Sequence, residues 1–444
     1  MIFKERLLTR GCILMADFTI KNLYTQKKYE EAIKYASTID KRENLSEWEY
    51  RYLSLCMYKL KRYEDCLTTY KEFHKKYPDS TLLDNTMGWS LFYAQILNFD
   101  FETGNRTHYL KQIDFILSHC DDSQYSPNNL VASVVIDNIF NCNFAVNINY
   151  ELANKYLSKI DPLTLNTTEH EMEKDGRIIK TSSDREQWYI RKVKTLVELE
   201  KYEECLPYID EAFNNIDKFH NDSFYWLRYR QAQCYVGLNN NDKAESILTE
   251  LLKHFTHWCF YGLLFEISAA KNDTDKAIRY GSLCSLSDKS HRHRVTFYEK
   301  YASFLLCSGY THESYLHYKL VEEIRKEEGW KNKILSEDFS YPENIQPLDK
   351  KAVLIELYSF WEREKERGIE YFEGIIDKVL PAGKSGFIRD ENGNSYYFNV
   401  KDFVIKAKDL NNHIGNRVRY TIEERLDKKK MVMKPNAVQI SFIK

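Results

Sequence analysis

The first 330 residues carry a pattern of hydrophobic and polar positions that repeats about every 34 residues. Tyr29 and Tyr63 lie 34 residues apart, and each is followed three positions later by a small residue. These small residues are Ala32 and Cys66, and later ones stand at Ala153, Cys205, Ala244, Ala277 and Ser314. A period of this length, with a turn and one small residue, is typical of paired antiparallel helices that cross closely at the small side chain. The pattern therefore predicts an array of helix pairs.

The repeating segment resembles the tetratricopeptide repeat family over about residues 13–330. The most regular repeat runs from Glu47 to Ser80 and carries the motif positions Tyr50, Leu53, Tyr63, Cys66, Tyr70, Phe73 and Pro78. It departs from the family in having Ser54 where glycine is usual and Phe73 where alanine is usual. About eight degenerate repeats can be placed, and the one near residues 88–121 is the least regular. The resemblance implies a superhelical solenoid, although other helical arrays have a similar period.

Such an array presents a concave surface lined by the first helix of each pair, and this surface usually holds a peptide or a protein. The residues at the expected lining positions are Trp48, Arg51, Tyr58, Lys59, Lys194, Trp226, Tyr229 and Gln233. For any one of these side chains, ordinary packing between repeats is the alternative interpretation. The sequence does not name the partner, and it leaves homo-oligomerisation open.

A connector and one further helix follow the repeats. Pro342 and Pro347 interrupt the helical pattern within residues 331–348. Apolar residues then return at three- and four-residue intervals, at Val353, Leu354, Leu357, Tyr358 and Trp361. We expect this helix to cap the open end of the array, with Glu362 to Arg367 facing solvent.

Composition changes near residue 368. From there to the end, 14 Lys and Arg stand against 10 Asp and Glu, whereas the whole chain has a formal charge of −2. Six of the 15 glycines also fall in this segment. The predicted domains are therefore a helical array (1–330), a connector with a capping helix (331–367) and a small third domain (368–444). The ten cysteines form no Cys-x-x-Cys pair and no segment reads as a signal peptide, so we expect a cytoplasmic protein with reduced thiols.

The last 75 residues read as five short β-strands. These are "FEGIIDKVL", "SGFIRD", "SYYFNV", "NRVRYTIEER" and "KPNAVQISFI", and the loop around Gly393 joins the second to the third as a hairpin. Five strands with polar turns predict a small closed or nearly closed barrel. Strand alternation places Ser385, Phe387 and Arg389 on one face, with Tyr397 and Asn399 beside them, and Tyr396 and Phe398 inward.

Residues 371–442 resemble the cold-shock domain, a five-stranded OB-type barrel that binds single-stranded RNA or DNA. "EGIIDKVLPAGKSGFIRD" is similar to the opening of that family, "SYYFNV" to its second ribonucleoprotein-type motif, and "IGNRVRYTIEE" with "KPNAVQI" to its last two strands. The resemblance implies a nucleic-acid-binding face made of Phe387, Tyr397, Lys378, Lys384, Ser385, Arg389, Asn399 and Lys401.

Four departures weaken the stacking face that the resemblance implies. Lys378, Ser385, Asn399 and Val400 stand where the family has aromatic rings or a histidine, so only Phe387 and Tyr397 remain as stacking rings. Each base stacked on an aromatic ring contributes about 1–3 kcal/mol. We therefore expect weak binding by this domain alone, with RNA favoured as the ligand. A structural or protein-binding barrel is the alternative.

The sequence offers no strong catalytic motif. Gly383-Lys384-Ser385 ends like a phosphate-binding loop, but Lys378 stands where the loop needs glycine, and strand residues follow where it needs a helix. His254 and His257 lie one helical turn apart with no recognisable third metal ligand. Arg292 and Arg294, in "SHRHRV", read as a solvated basic loop. The sequence thus predicts a non-enzymatic adaptor that needs no cofactor or metal, holds a protein partner on its repeats and contacts single-stranded nucleic acid, or else a purely protein-binding scaffold.

Overall fold

The structure is a computed structural model that describes residues 20–38, 44–121, 123, 125–288, 290–331, 349–404, 410–427 and 432–443. The chain folds into two compact units, Met1–Leu251 and Leu252–Lys444. The division falls at the end of a helix within the repeating segment. The predicted domain boundaries at residues 330 and 367 therefore stay predictions.

The first compact unit consists of helix pairs and one inserted hairpin. After helical residues 20–25, its helices are α1 (Tyr29–Ala36), α2 (Glu47–Lys59), α3 (Tyr63–Lys76), α4 (Asp84–Leu91), α5 (Arg106–His119), α6 (Asn128–Phe140), α7 (Tyr150–Leu157), α8 (Asp184–Glu198), α9 (Tyr202–Asn215), α10 (Ser223–Gly237) and α11 (Asn241–Leu252). Strands β1 (His170–Lys174) and β2 (Arg177–Thr181) form an antiparallel hairpin between α7 and α8. The irregular repeat near residues 88–121 is present as the pair α4 and α5, and α4 runs on into a π-helical turn, Phe92–Ile96.

The second compact unit continues the helix pairs and adds the barrel. Its helices are α12 (Trp258–Ala270), α13 (Thr274–Leu286), α14 (Val295–Cys307), α15 (Thr311–Glu327) and α16 (Lys350–Glu364). Its strands are β3 (Phe372–Val379), β4 (Ser385–Asp390), β5 (Ser395–Asn399), β6 (Arg417–Asp427) and β7 (Val432–Phe442). The fold is mainly α, as predicted, and the described residues contain no helix long and apolar enough to cross a membrane.

The small residue of each repeat is where the two helices of a pair touch. Ala32, Ala153, Cys205, Ala244, Ala277 and Ser314 are fully buried, and Cys66 is buried as well. Where the small residue can donate, it bonds to the preceding helix: the Cys66 thiol donates to the carbonyl of Ser54 (3.3 Å), and the Ser314 hydroxyl to that of Ala302 (2.8 Å). A side chain this close to a neighbouring backbone has no room to grow, which explains the repeating small position.

The turn inside each pair uses a left-handed residue two positions before the second helix begins. The residues with positive φ at this position are Lys27, Lys61, Glu200, Asn239, Asn272 and Gly309. At Lys61, the next amide, that of Arg62, donates back to the carbonyl of Met57 (2.9 Å), the bond expected where a left-handed residue ends a helix. Only Gly309 is a glycine, so the other turns hold an L-residue in a conformation that glycine adopts at lower cost.

Helix α16 packs where the first helix of another pair would lie. It contacts α13 and α15, and Val353, Leu357 and Trp361 are fully buried. The predicted packing of this helix is therefore confirmed. The predicted solvent exposure of its last residues is wrong: Glu364 is buried, and Arg367 pairs with Asp275 (2.7 Å) and Glu364 (2.9 Å).

The basic loop "SHRHRV" is also more structural than predicted. Arg294 is fully buried, and its guanidinium donates to the carbonyls of Cys284 (2.6 Å) and Ser285 (2.9 Å) at the end of α13. A cation at a helix C-terminus satisfies carbonyls that have no partner within the helix. Arg292 pairs instead with Glu328 (3.1 Å).

The five C-terminal strands close into a barrel in the order β3-β4-β5-β7-β6, with β6 pairing back to β3. Four of the five pairings are antiparallel, and the β5–β7 pairing is parallel, at Tyr397 and Asn436. The fully buried core residues are Ile376, Ile388, Phe398, Val418, Tyr420, Ala437 and Ile440. The predicted five strands are confirmed. The OB-type assignment stays a proposal.

Candidate nucleic-acid interface and partner-binding face

Phe387 and Tyr397 lie side by side on the outer face of the barrel. They are direct register partners on β4 and β5, and their ring centroids are 5.7 Å apart in an edge-to-face arrangement. Their strand neighbours Ile388 and Phe398 point inward and are fully buried. Strand alternation therefore holds the two rings outward, and both are half-exposed.

A row of side chains crosses four strands at this level. Lys378 on β3 pairs in register with Phe387, and Tyr397 pairs with Asn436 on β7. Gly386, beside Phe387 on β4, allows this close approach, because a Cβ there would lie 2.3 Å from the carbonyl oxygen of Lys378. The row thus combines one cation, two aromatic rings and one amide. Asn436 was missed by the sequence reasoning, since only the parallel β5–β7 pairing brings it to the row.

The charged side chains of the barrel fall into two groups. Its four arginines are all engaged with carboxylates: Arg389 with Asp377 (2.6 Å), Arg417 with Glu373 (2.6 Å), Arg419 with Glu366 (3.3 Å), and Arg425 with Asp402 (2.9 Å) and Glu423 (2.8 Å). Lys378, Lys384 and Lys401 are exposed, and none of them forms an ion pair with a residue that the structure describes. Lys384 and Lys401 are near one another in the fold, because the amide of Val400 donates to the carbonyl of Lys384 (2.8 Å).

The remaining predicted face residues are less available. Ser385 is buried, at 9% exposure. Asn399 is a register partner of Ser385, and its side-chain oxygen accepts from the amide of Lys401 (3.1 Å) at the start of a short 3₁₀ turn. Arg389 is held by Asp377, as described above. Ser385 is also the first residue of β4 and not of a helix, so the phosphate-loop interpretation fails as the sequence predicted.

In the first compact unit, the predicted partner-binding residues of α2 differ in how accessible they are. Trp48 is 53% exposed, and the guanidinium of Arg51 lies over its ring at 5.2 Å. Lys59 is exposed and Tyr58 is half-buried. Burial, with neighbouring Tyr93 and Tyr63, raises the pKa of Tyr58 to about 12. This ring therefore stays neutral and serves partly as packing between repeats.

The other predicted partner-binding residues lie on α8 and α10. Lys194 is half-buried, with its ammonium 5.9 Å from the ring centre of Phe140. Trp226 and Gln233 are half-buried, and Gln233 accepts from Arg230 (2.9 Å). Tyr229 is buried, at 9% exposure, which makes it a packing residue first. Trp48, Arg51 and Lys59 are thus the most accessible members of the predicted set.

The hairpin of β1 and β2 was missed by the sequence reasoning. Its turn, Asp175-Gly176, has φ values of +52° and +72°, as a two-residue type I′ turn requires. An Asp-Gly pair between "HEMEK" and "RIIKT" is a recognised hairpin signal. Across the described part of the chain, no three His, Cys, Asp or Glu side chains gather where they could hold a metal ion.

Comparison with known proteins bears on the helical part. A family model described as "Tetratricopeptide repeat" matches residues 51–80 and 227–256. The first of these covers α3 and most of α2, and together with the helix pairs it identifies the protein as a helical repeat protein of tetratricopeptide type, with a C-terminal five-stranded barrel. The comparison with curated proteins found no match.

Solved structures of tetratricopeptide proteins are similar to the chain at low scores. One from Parabacteroides merdae ATCC 43184 shares 12% identity and a TM-score of 0.26, over 63% of this chain and 94% of that one. A thermophilic protein from Thermus thermophilus shares 15% identity and a TM-score of 0.23, over 59% and 100%. The C-terminal part of a repeat protein from Cytophaga hutchinsonii shares 14% identity and a TM-score of 0.26, over 66% and 94%. At such TM-scores these likenesses carry no conclusion about function.

Proposed function

We propose that the protein is a non-enzymatic adaptor whose barrel binds single-stranded nucleic acid while its helix pairs hold a protein partner. The tetratricopeptide-type repeats support a role as a protein-interaction scaffold. The observation that carries the nucleic-acid part is the row of Lys378, Phe387, Tyr397 and Asn436 across four strands. RNA is the proposed ligand, and the cytoplasm the proposed location.

The chemistry of the row suits an unpaired strand. Two outward rings offer stacking surfaces to successive bases, and stacking is worth about 1–3 kcal/mol per base. The amide of Asn436 can donate to or accept from a base edge. Stacking of this kind tolerates any base, because each base has a π-face. The proposed site therefore has little sequence preference.

Lys378, Lys384 and Lys401 supply the charge. Phosphates must compete with carboxylates for each of the four arginines, whereas these three lysines carry no such partner within the described residues. For single strands, the logarithm of the binding constant falls with the logarithm of salt at a slope of about −0.7 per neutralised phosphate. Three contacts predict a slope of about −2. Two rings and three lysines together imply weak binding by the barrel alone.

The topology supports an OB-type barrel of the cold-shock kind. The barrel is closed, the fourth and fifth strands form a long hairpin, and the third strand meets the fifth in parallel. OB-type barrels bind oligonucleotides on the face that includes their second and third strands. Here those strands are β4 and β5, which carry Phe387 and Tyr397.

The decisive experiment is fluorescence anisotropy with labelled single-stranded RNA and DNA at two salt concentrations. The double variant Phe387→Ala/Tyr397→Ala should lose most of the affinity, since two stacks are removed. Lys378→Gln/Lys384→Gln/Lys401→Gln should weaken binding and flatten the salt dependence. Arg417→Gln is the matched control, because Arg417 is 62% exposed on the same barrel but is bound to Glu373. Equal affinity in all four proteins would place the site elsewhere, and no binding at low salt would refute the proposal.

A second candidate function has its own observation. Asp377 and Asp402 already neutralise Arg389 and Arg425, and the side-chain oxygen of Asn399 is used inside the barrel. These contacts favour a barrel that binds protein and not nucleic acid. In that case, no RNA or DNA should bind at low salt, while the folded barrel is retained.

A further inference from the structure

A buried histidine joins the inserted hairpin of the first compact unit to two of its helices. His220 lies just before α10, and its Nδ1 is 2.8 Å from Oε2 of Glu186 on α8. The backbone amide of His220 also donates to Glu186 (2.8 Å), and the hydroxyl of Ser223 donates to the same carboxylate (2.5 Å). Glu186 is only 1% exposed. This carboxylate therefore fixes the start of α10 against α8.

The other ring nitrogen of His220 faces a second carboxylate. Its Nε2 is 2.9 Å from Oε1 of Glu169, the residue that directly precedes β1. Glu169 also pairs with Lys218 (2.8 Å) and with Lys180 of β2 (2.9 Å). A single carboxylate thus ties the base of the hairpin to the ring and to both lysines.

Little else fastens the hairpin. No residue of β1 or β2 whose exposure is described is buried, and Ile178 is 71% exposed. The strands therefore have no apolar packing of their own to hold them in place. Beyond Glu169, the described polar attachment is the pair between His170 and Asp184 (2.7 Å).

The geometry decides the charge of the ring. A neutral imidazole has one N–H donor and one acceptor nitrogen. Here both nitrogens face carboxylate oxygens, so both must donate and the ring must be an imidazolium. Consistent with this, the bond to Glu186 raises the pKa of His220, and the bonds from Lys218, Lys180 and His220 lower the pKa of Glu169 to about 2.

We propose that His220 is a proton-controlled latch that, in its doubly protonated form, clamps Glu169 and so holds the hairpin of residues 170–181 against the helices. When the ring loses a proton, one nitrogen becomes a lone pair that faces a carboxylate. The bond to Glu186 is kept, because that carboxylate is buried and is aligned by two further donors. The contact with Glu169, which is 22% exposed, is the one released, and the hairpin is left with its lysine and His170 contacts.

The backbone next to the ring makes the latch a stressed element. Asn221 and Asp222 both have positive φ, at +50° and +61°. Two consecutive L-residues in this region cost free energy that surrounding contacts must offset. The bonds of His220 and Ser223 to Glu186 are those contacts, so loosening the ring also loosens the turn into α10.

The direction of the pH dependence follows from the two pKa shifts. The folded pKa of His220 is raised, so the latch is complete below the ordinary histidine value of about 6.5 and is lost as pH rises through the folded pKa. The folded pKa of Glu169 is lowered, so its contribution is lost only as pH falls toward about 2. Lys180 and Lys218 stay charged across the range, and His170 is the other titrating group nearby.

The test is amide hydrogen exchange of residues 168–181, measured from about pH 6 to about pH 9 and expressed as protection factors so that intrinsic exchange is removed. Wild type should lose about tenfold in hairpin protection over this range, the equivalent of one pKa unit. His220→Gln should be poorly protected at both ends and show no step. Glu169→Gln leaves the ring and Glu186 in place, and it should also remove the step while His220 still titrates by NMR.

The control is His170→Gln, which removes the other histidine of the hairpin and should keep the step. If the step disappears in His170→Gln and survives in His220→Gln, the latch is misassigned. Protection that does not change with pH in wild type would overturn the proposal, provided that far-UV circular dichroism shows the helices intact. Neither result depends on nucleic-acid binding by the barrel.

Discussion

Two helical glycines of the second compact unit respond to the same substitution in opposite ways. Gly281 lies in α13, where a Cβ would sit 2.4 Å from Cε2 and 2.5 Å from Cζ of Tyr301. Gly262 lies in α12, where the nearest atoms to a Cβ, on Cys284 and Phe297, are both 3.7 Å away. We predict that Gly281→Ala destabilises the protein and Gly262→Ala stabilises it.

The magnitude at Gly281 follows from how firmly the Tyr301 ring is held. Tyr301 is fully buried, its hydroxyl bonds to the carbonyl of Ile278 (3.0 Å) and to Ser282 (3.2 Å), and its ring stacks on Phe297 at 5.7 Å. Overpacking costs about 1–3 kcal/mol, and a buried hydroxyl left without its partner costs about 1–3 kcal/mol more. Alanine returns about 1 kcal/mol of helix propensity. The expected net loss is about 2–4 kcal/mol.

At Gly262 the contacts would be ordinary, so only the propensity remains. The expected gain is about 0.5–1 kcal/mol. Urea unfolding monitored by far-UV circular dichroism measures both changes as shifts of the midpoint, which is sound only where the slope is unchanged. The two variants differ by one methyl group each, and therefore each controls for the other.

A double-mutant cycle identifies the ring as the cause. In a Tyr301→Leu background, the cost of Gly281→Ala should shrink by at least about 1 kcal/mol, since the rigid ring is gone. Gly281→Ala with wild-type stability would refute the reasoning, because it would mean that the ring moves aside at no cost. An unchanged cost in the Tyr301→Leu background would assign the effect to another contact.

Three further predictions concern the same compact unit. Gly309→Ala should cost about 1 kcal/mol in urea unfolding, because φ there is +85° and a Cβ meets no atom within 4 Å, so any loss is conformational. Gly386→Ala should expose β3–β5 to hydrogen exchange while α14 and α15 stay protected, since its Cβ would lie 2.8 Å from the Phe398 ring as well as against backbone; unchanged barrel protection would contradict this. His317 donates to a carbonyl and accepts from Trp361 (3.0 Å), and burial lowers its pKa to about 4. Its stabilising contribution is therefore present above about pH 6.5 and lost as pH falls toward 4, about 2 kcal/mol at about pH 5, and His317→Gln should reduce the fall in urea midpoint between about pH 7 and about pH 5.

The candidate site was only partly predictable from sequence. Strand alternation was enough to place Phe387 and Tyr397 outward and Phe398 inward, because the side-chain period of a strand is local. The availability of charge was not predictable: Arg389 looks like Lys384 in the sequence, but only Arg389 has a carboxylate facing it across a strand pairing. The same limit explains Ser385, whose burial depends on the barrel closing around it.

Local pattern determined the secondary structure of this chain. The repeating small residue, the three- and four-residue apolar spacing and the alternation of the last 75 residues are properties of neighbouring positions, and each predicted element type follows from them. The Asp175-Gly176 turn was equally local, and the hairpin around it was there to be found. The buried cap at Arg294 gave no such signal, since a basic loop reads the same whether it is solvated or enclosed.

Tertiary structure decided which polar groups meet. Glu169, Glu186 and His220 are separated by 17 and 34 residues in the chain, and no sequence period relates them. Asn436 joins the row of Tyr397 only through a parallel pairing of strands far apart along the chain. The physical reason is that helix and strand formation depend on contacts a few residues apart, whereas charge pairing, burial and pKa depend on whichever distant segment packs alongside.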